Sequence, residues 1–131
     1  ILTCDWSSDV CSSDLALNYL GYMWADQGQN LERALRLTQK AVALEPDNGA
    51  YVDSLGWAHF QLGQLDEARD YLELAARLVG DDAVVFEHLG DLYRVLGQLE
   101  SARRLYQRAV DLEGENFQQV REKLDQLPVA P

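Results

Sequence analysis

The sequence repeats a pattern of small and apolar residues at intervals of 34 or 35 residues. The pattern contains an alanine, a Leu-Gly pair and a Gly-Gln pair, each present three times. The recurring positions are Ala34, Ala68 and Ala102; Gly21, Gly56 and Gly90; and Gly28, Gly63 and Gly97. The extra residue of the first copy falls between Gly28 and Ala34, near Asn30. A period of this length is typical of stacked supersecondary units, each of which buries its hydrophobic face against the next.

Each copy has the pattern of two helices joined by a short turn. From Val52 to Leu62 the apolar residues follow an i, i+3, i+4, i+7 spacing, which is the period of an amphipathic helix. Gly63 then favours a helix end, and a second stripe with the same period runs from Leu65 to Leu78. The sequence therefore predicts an all-α fold of three helix-turn-helix units. We place these units at residues 16–48, 49–82 and 83–114.

A glycine lies in the middle of the first predicted helix of every unit, where it costs ~1 kcal/mol relative to alanine. A cost that recurs in three copies needs a structural reason, and an alanine recurs in each second helix. Small residues on both helices let two backbones approach closely. We therefore predict three helix crossings at glycine–alanine pairs, namely Gly21 with Ala34, Gly56 with Ala68, and Gly90 with Ala102.

The combined pattern resembles the tetratricopeptide repeat, whose consensus reads W-x2-L-G-x2-Y, followed by A-x3-F, A and P. In the second unit the matching positions are Val52, Leu55, Gly56, His59, Ala68, Leu72, Ala75 and Gly80. The departures are modest, such as Val52 in place of Trp, and the sequence is most similar to bacterial members. The resemblance covers residues 16–114. It implies a right-handed α-solenoid whose first helices line a concave groove that binds peptides or partner helices.

Residues 115–131 predict a capping helix followed by a short tail. One apolar face is formed by Phe117, Val120, Leu124 and Leu127. Asn116, with Gln119 three residues later, has the pattern of a capping box at the start of this helix. A terminal helix with one polar face is what a solenoid needs to cover its last hydrophobic surface.

Residues 1–15 lack any helical period and contain both cysteines, Cys4 and Cys11. The stretch 5–15 resembles the translation of a DNA adapter used in sequencing, so we expect residues 1–15 not to be native. On this expectation the two cysteines indicate neither a disulfide nor a metal site, and native sequence begins near Ala16.

A first helix that begins at Ala16 would lack a preceding unit to cover it. We expect Leu17, Tyr19 and Leu20 to form an apolar patch there. Exposed patches of this kind promote association, so the sequence predicts self-association through this N-terminal face.

The charge balance narrows the possible functions. Lys and Arg number 11 against 22 Asp and Glu, and the formal net charge of −11 argues against nucleic acid or an anionic membrane surface as a partner. No apolar run approaches the ~20 residues of a membrane-spanning helix. The sequence has no nucleophile triad, phosphate loop or metal-ligand motif, and we expect His59 to be a packed core residue. It therefore predicts a non-enzymatic protein without cofactor or metal.

The resemblance directs attention to first-helix residues that lie beside the apolar stripe. These groove candidates are Asn18, Tyr22 and Asp26 in the first unit; Asp53, Trp57, Phe60 and Gln61 in the second; and Glu87, His88, Asp91 and Arg94 in the third. Their acidic and aromatic character favours a basic or amphipathic protein or peptide as partner. Family members that hold the C-terminal carboxylate of chaperones use Lys, Asn and Arg on this face, so Asp53 and Asp91 argue against that ligand.

Two questions stay open at this level. Trp57 is either an aromatic anchor for a partner or a residue that packs between consecutive first helices, near Tyr22. The chain as a whole is a protein-binding scaffold, a structural repeat array of a longer protein, or a regulatory or targeting module of an upstream enzyme. The sequence does not indicate a cellular location.

Overall fold

The computed structural model describes residues 14–128, which form seven α-helices and no strand. The helices are α1 (Asp14–Gln27), α2 (Leu31–Leu44), α3 (Gly49–Gln61), α4 (Leu65–Val79), α5 (Ala83–Val95), α6 (Leu99–Asp111) and α7 (Phe117–Gln126). The prediction of an all-α fold is confirmed. The predictions for Cys4, Cys11 and the rest of residues 1–13 lie outside the described residues. Helix α1 starts at Asp14 and so includes the last two positions of the adapter-like stretch.

The first six helices pack as three successive pairs, α1 with α2, α3 with α4, and α5 with α6. Helix α3 also packs against α1 and, less extensively, against α5. Each second helix contacts the first helix that follows it, and α7 packs on α6. This succession of neighbour contacts is the arrangement of a solenoid. Within residues 14–128, no helix combines the length and apolar character needed to cross a membrane.

The three turns inside the units have the same hydrogen bonds. In each turn the amide of a glutamine donates to the carbonyl five residues earlier at 2.9 Å, in the pairs Gln29 to Trp24, Gln64 to His59, and Gln98 to Tyr93. The preceding glycines, Gly28, Gly63 and Gly97, have φ between 69° and 82°, a left-handed conformation that glycine adopts without strain. The extra residue of the first turn is accommodated at Asn30, which is also left-handed with φ 49°. The turn therefore absorbs the insertion.

The glycine in the middle of each first helix permits a close approach of the second helix. A Cβ added at Gly56 would lie 2.8 Å from Cγ of Leu72 and 3.1 Å from its backbone nitrogen. A Cβ added at Gly90 would lie 2.6 Å from Cε1 of Tyr106. Because interiors are close-packed, any larger residue at these positions would push the two helices apart.

This geometry corrects the predicted partner of each glycine. The residues nearest to the three glycines are Thr38, Leu72 and Tyr106, and not Ala34, Ala68 and Ala102. An added Cβ would thus first meet a residue one turn further along the second helix than predicted, although the three alanines are themselves fully buried. In the first unit Ala34 still contributes, because its carbonyl oxygen would lie 3.2 Å from a Cβ at Gly21.

Helix α1 has an exposed apolar face at the start of the array. Tyr19 is 68% exposed and Leu15 is 66% exposed. Leu17, which we expected in this patch, is instead buried in a cluster that includes Tyr51. The side of α1 that carries Leu17 faces α2 and α3, and Leu20 is partly buried in the same cluster. The patch therefore consists of Leu15 and Tyr19.

Candidate interaction surface

The first helices form a wall of a polar pocket of about 260 Å³, which we call the concave pocket. Its lining residues are Tyr22 and Asp26 on α1; Trp57 on α3; Val84, Glu87, His88 and Asp91 on α5; and Asn116, Gln119 and Lys123 in or beside α7. Most of the predicted groove residues thus meet in one place. The predicted residues that do not line the pocket are Asn18, Asp53, Phe60, Gln61 and Arg94.

The indole of Trp57 is packed between the first helices. Its ring stacks on His88 with a centroid distance of 4.0 Å and on Phe60 with a distance of 4.8 Å. Its Nε1 donates a hydrogen bond to Oδ1 of Asp26 at 3.3 Å. Trp57 is 7% exposed, so a partner would find little of it accessible. Of the two alternatives left open for Trp57, the structure shows the packing role.

His88 lies at the centre of a buried polar cluster. Its Nδ1 is 3.0 Å from both carboxylate oxygens of Asp53 on α3, and its Nε2 is 3.4 Å from the Tyr22 hydroxyl on α1. Burial would lower the pKa of His88, but the charge of Asp53 and the hydrogen bond to it outweigh burial and raise that pKa above its ordinary value. Among the described residues, no cluster of three or more His, Cys, Asp or Glu side chains could hold a metal ion.

Helix α7 supplies the counter-ion for two acids that we predicted to face a partner. Nζ of Lys123 lies 2.7 Å from Glu87 and 2.9 Å from Asp91, and both carboxylates are buried. Burial would raise the pKa of Glu87, but its hydrogen bonds from Asn116, Lys123 and Gln119 hold that pKa below its ordinary value. Burial would lower the pKa of Lys123, but the two carboxylates raise it. The acidity of the concave face is therefore partly neutralised within the chain.

The predicted capping box at α7 does not form. The side chain of Asn116 makes no cap hydrogen bond, and its Nδ2 donates instead to Oε1 of Glu87 at 2.9 Å. Gln119 donates to Oε2 of the same carboxylate at 2.7 Å. A buried carboxylate needs several donors, and this demand takes both side chains away from the helix terminus.

Two models of the tetratricopeptide repeat match the chain, one over residues 50–82 and the other over residues 83–116. The matches adjoin each other and together span about half of the sequence. The chain belongs to the tetratricopeptide repeat (TPR) family. The matched residues comprise the second and third helix pairs, α3 with α4 and α5 with α6.

This TPR chain is 43% identical over 61 residues to a TPR repeat-containing protein of Pseudomonas aeruginosa. That match takes in 47% of this chain and 10% of the relative, so the chain spans about a tenth of the relative's length. It is also similar to the solved first TPR domain of Spaghetti (RPAP3) bound to the HSP90 peptide SRMEEVD, with a TM-score of 0.76 and 24% identity, over 88% of this chain and 90% of that one. The Sgt2 TPR domain from Aspergillus fumigatus gives a TM-score of 0.69 at 18% identity, over 90% and 86% of the two chains. At such identities the likeness establishes the fold alone.

The remaining predicted groove residues of this TPR chain have other surroundings. Gln61 donates from Nε2 to the carbonyl of Ala25 at 2.7 Å and so ties α3 to the end of α1. Phe60 is half-buried beside Trp57, and Arg94 is exposed near the end of α5. Asn18 is half-buried, with an Oδ1 that has no hydrogen-bond partner among the described residues.

Sequence reasoning missed the contribution of α7 to this TPR surface. Asn116, Gln119 and Lys123 follow one another at spacings of three and four, which places them on one face of a helix. The apolar stripe of α7 drew attention to the adjoining face. The available signal was the polar stripe of α7 with its single lysine, together with the two acids on α5.

Proposed function

We propose that this TPR array is a non-catalytic scaffold that binds a peptide or partner helix on the face formed by α1, α3 and α5. The observation that supports this most is the concave pocket, because it joins polar side chains from all three units and α7. The similar TPR domain of Spaghetti was solved with a peptide bound, which supports a peptide-binding role for an array of this architecture.

The charges of the pocket favour a cationic group of the partner. Asp26 is the pocket carboxylate that is exposed to solvent, whereas Glu87 and Asp91 are buried beneath Lys123. A partner's lysine or arginine can approach Asp26, and its apolar side chains can contact the half-exposed Tyr22 ring and the exposed Val84. Electrostatic complementarity of this kind selects a basic or amphipathic partner over an acidic one.

The test compares two synthetic amphipathic helices of equal length, one built from Leu and Lys and the other from Leu and Glu. We expect the lysine peptide to bind, more weakly at high salt, and the glutamate peptide not to bind. Asp26→Asn removes the charge but keeps an acceptor for Trp57, so it should weaken binding. Asp70→Asn, an exposed acid on α4, is the matched control and should bind as the parent does. Equal binding of both peptides, or no effect of Asp26→Asn, would contradict the proposal.

The exposed face of α1 supports a second candidate, a structural array in which another TPR unit covers this face. Tyr19 corresponds by the repeat to Ser54 and His88, and both of these are buried. A second copy of the chain, or a further unit of a longer protein, would bury Tyr19 in the same way. Sedimentation velocity of the parent and of Tyr19→Glu tests the first case, with the exposed Val95→Glu as control. We expect concentration-dependent association that only Tyr19→Glu abolishes.

A further inference from the structure

His88 joins units that do not follow one another in the chain. Tyr22 lies in the first unit and His88 in the third, and the Tyr22 hydroxyl is 3.4 Å from His88 Nε2. On the other side of the ring, Nδ1 of His88 contacts both oxygens of Asp53 in the second unit at 3.0 Å. The Trp57 indole covers the ring with a centroid distance of 4.0 Å and an interplanar angle of 16°. One buried imidazole therefore contacts the first helix of each other unit.

We propose that His88 is a pH-sensitive clasp that holds α1, α3 and α5 together while its imidazole is charged and loosens them when it is neutral. The clasp is a property of the fold, and it does not depend on the partner proposed above.

The surroundings of His88 favour the charged ring. The titratable groups that face it are Tyr22 and Asp26 on α1, Asp53 on α3, Glu87 and Asp91 on its own helix, and Lys123 on α7. Lys123 pairs with Glu87 and Asp91. Among the described residues, His88 is the one hydrogen-bond partner of the buried Asp53 carboxylate. The imidazolium is thus the counter-ion of Asp53.

Loss of the proton removes the positive charge from the ring and reverses its hydrogen bond with Tyr22. The charged ring donates from Nδ1 to Asp53 and from Nε2 to the Tyr22 oxygen. The neutral ring keeps one N–H, so with Nδ1 protonated the Tyr22 hydroxyl must turn and donate to Nε2. Asp53 is then a buried carboxylate without a positive partner, which is costly. The attraction between a cationic ring and the Trp57 face is lost as well. All of these losses fall on contacts between first helices.

The experiment is an NMR titration of the two histidine rings of the full chain, from acidic to alkaline pH across the ordinary value of 6.5. His59→Gln assigns the signals and is the matched control, because the His59 ring contacts the amide oxygen of Gln64. We expect the titration midpoint of His88 to lie above 6.5 in the parent and in His59→Gln. In Asp53→Asn this midpoint should be lower than in the parent. The indole N–H signal of Trp57, assigned with Trp57→Phe, should shift with the same midpoint, because Trp57 stacks on the ring.

Unfolding by urea across the same pH range completes the test. As pH increases through the His88 midpoint, the unfolding equilibrium constant should rise in the parent and in His59→Gln. This rise should be absent in His88→Gln. A His88 midpoint at or below 6.5, a Trp57 signal that does not follow it, or a His88→Gln variant that keeps the rise would overturn the proposal. If His88→Gln fails to fold, the midpoints of the His88 and Trp57 signals in the parent test the proposal by themselves.

Discussion

Lys123 Nζ lies 2.7 Å from Glu87 Oε2 and thereby joins α7 to the first helix of the third unit. The same ammonium group is 2.9 Å from Asp91, one helical turn further along α5. Val120, buried on the same short helix, seals the hydrophobic core beside Phe86. Helix α7 therefore covers the end of the core and also supplies a positive charge to the two buried acids of the concave face.

Removing this ammonium should destabilise the protein. In Lys123→Met, Glu87 and Asp91 lose their counter-ion while they remain buried. Breaking a buried pair typically costs 3–5 kcal/mol, and because Lys123 keeps some solvent contact we expect a cost of about 3 kcal/mol at neutral pH. Urea denaturation measures this free energy of unfolding. Arg104→Met, which removes an exposed cation from α6, is the control and should change stability by less than about 0.5 kcal/mol. Similar costs for both variants would show that Lys123 lies in solvent.

The stability of the fold should depend on pH, and Glu87 should determine that dependence in the acidic range. The folded pKa of Glu87 is lowered from 4.5, so its contribution is present above about 4.5 and is lost as pH falls through the lowered value. Lys123, whose folded pKa is raised from 10.5, contributes below about 10.5 and stops contributing as pH rises through the raised value. Thermal unfolding as a function of pH checks both limbs. Glu87→Gln should flatten the acidic limb, and an unchanged acidic limb in this variant would contradict the assignment.

A methyl group at Gly56 should be destabilising even though alanine is the better helix former. Helix propensity favours Gly56→Ala by about 1 kcal/mol, but the new Cβ would lie 2.8 Å from Cγ of Leu72 and 3.1 Å from its backbone nitrogen. Overpacking of a close-packed interface typically costs 1–3 kcal/mol. We therefore expect a net loss of about 1 kcal/mol or more in the free energy of unfolding.

A double-mutant cycle separates the steric cost at Gly56 from other effects. Leu72→Ala removes the side-chain atoms that the new methyl group would meet. In that background Gly56→Ala should be much less costly, and the coupling energy should be favourable. Equal costs of Gly56→Ala in the two backgrounds would mean that the helices do not cross at Leu72.

Replacement of Trp57 by alanine should lower the free energy of unfolding even when no partner is present. The ring is buried between His88 and Phe60, and truncation of a buried tryptophan typically costs about 3–5 kcal/mol. Val95→Ala, at an exposed apolar residue on α5, should change stability by about 0.5 kcal/mol or less. The measurement is the midpoint of urea unfolding. A Trp57→Ala variant as stable as the parent would contradict the packing role and favour the alternative, an aromatic anchor for a partner.

The repeat period of the sequence was sufficient to predict the helix pairs and the turns between them. Gly28, Gly63 and Gly97 mark the three turns, and the one-residue difference in spacing located the insertion at Asn30. These features are local, because a left-handed glycine and an amphipathic stripe are both determined by residues close in sequence.

The sequence was a weaker guide to contacts between helices. The period shows which face of a helix is buried, but it does not fix the point along the partner at which two helices cross. For this reason Ala68 was predicted opposite Gly56, where the structure has Leu72. Leu17 was expected to be exposed because only a missing unit was considered, whereas Tyr51 of the next first helix covers it. The role of Lys123 was missed because its partners lie on α5, more than thirty residues earlier.

The contact between Tyr22 and His88 also bears on how the units share their stability. The stability of a repeat array is commonly treated as the sum of an intrinsic free energy for each unit and an interface free energy for each pair of neighbouring units. A hydrogen bond from the first unit to the third adds a term that skips a neighbour, so the free energies of the units are not independent. Duplicating the middle unit would place a further unit between Tyr22 and His88, and the array would then unfold less cooperatively than its length alone suggests.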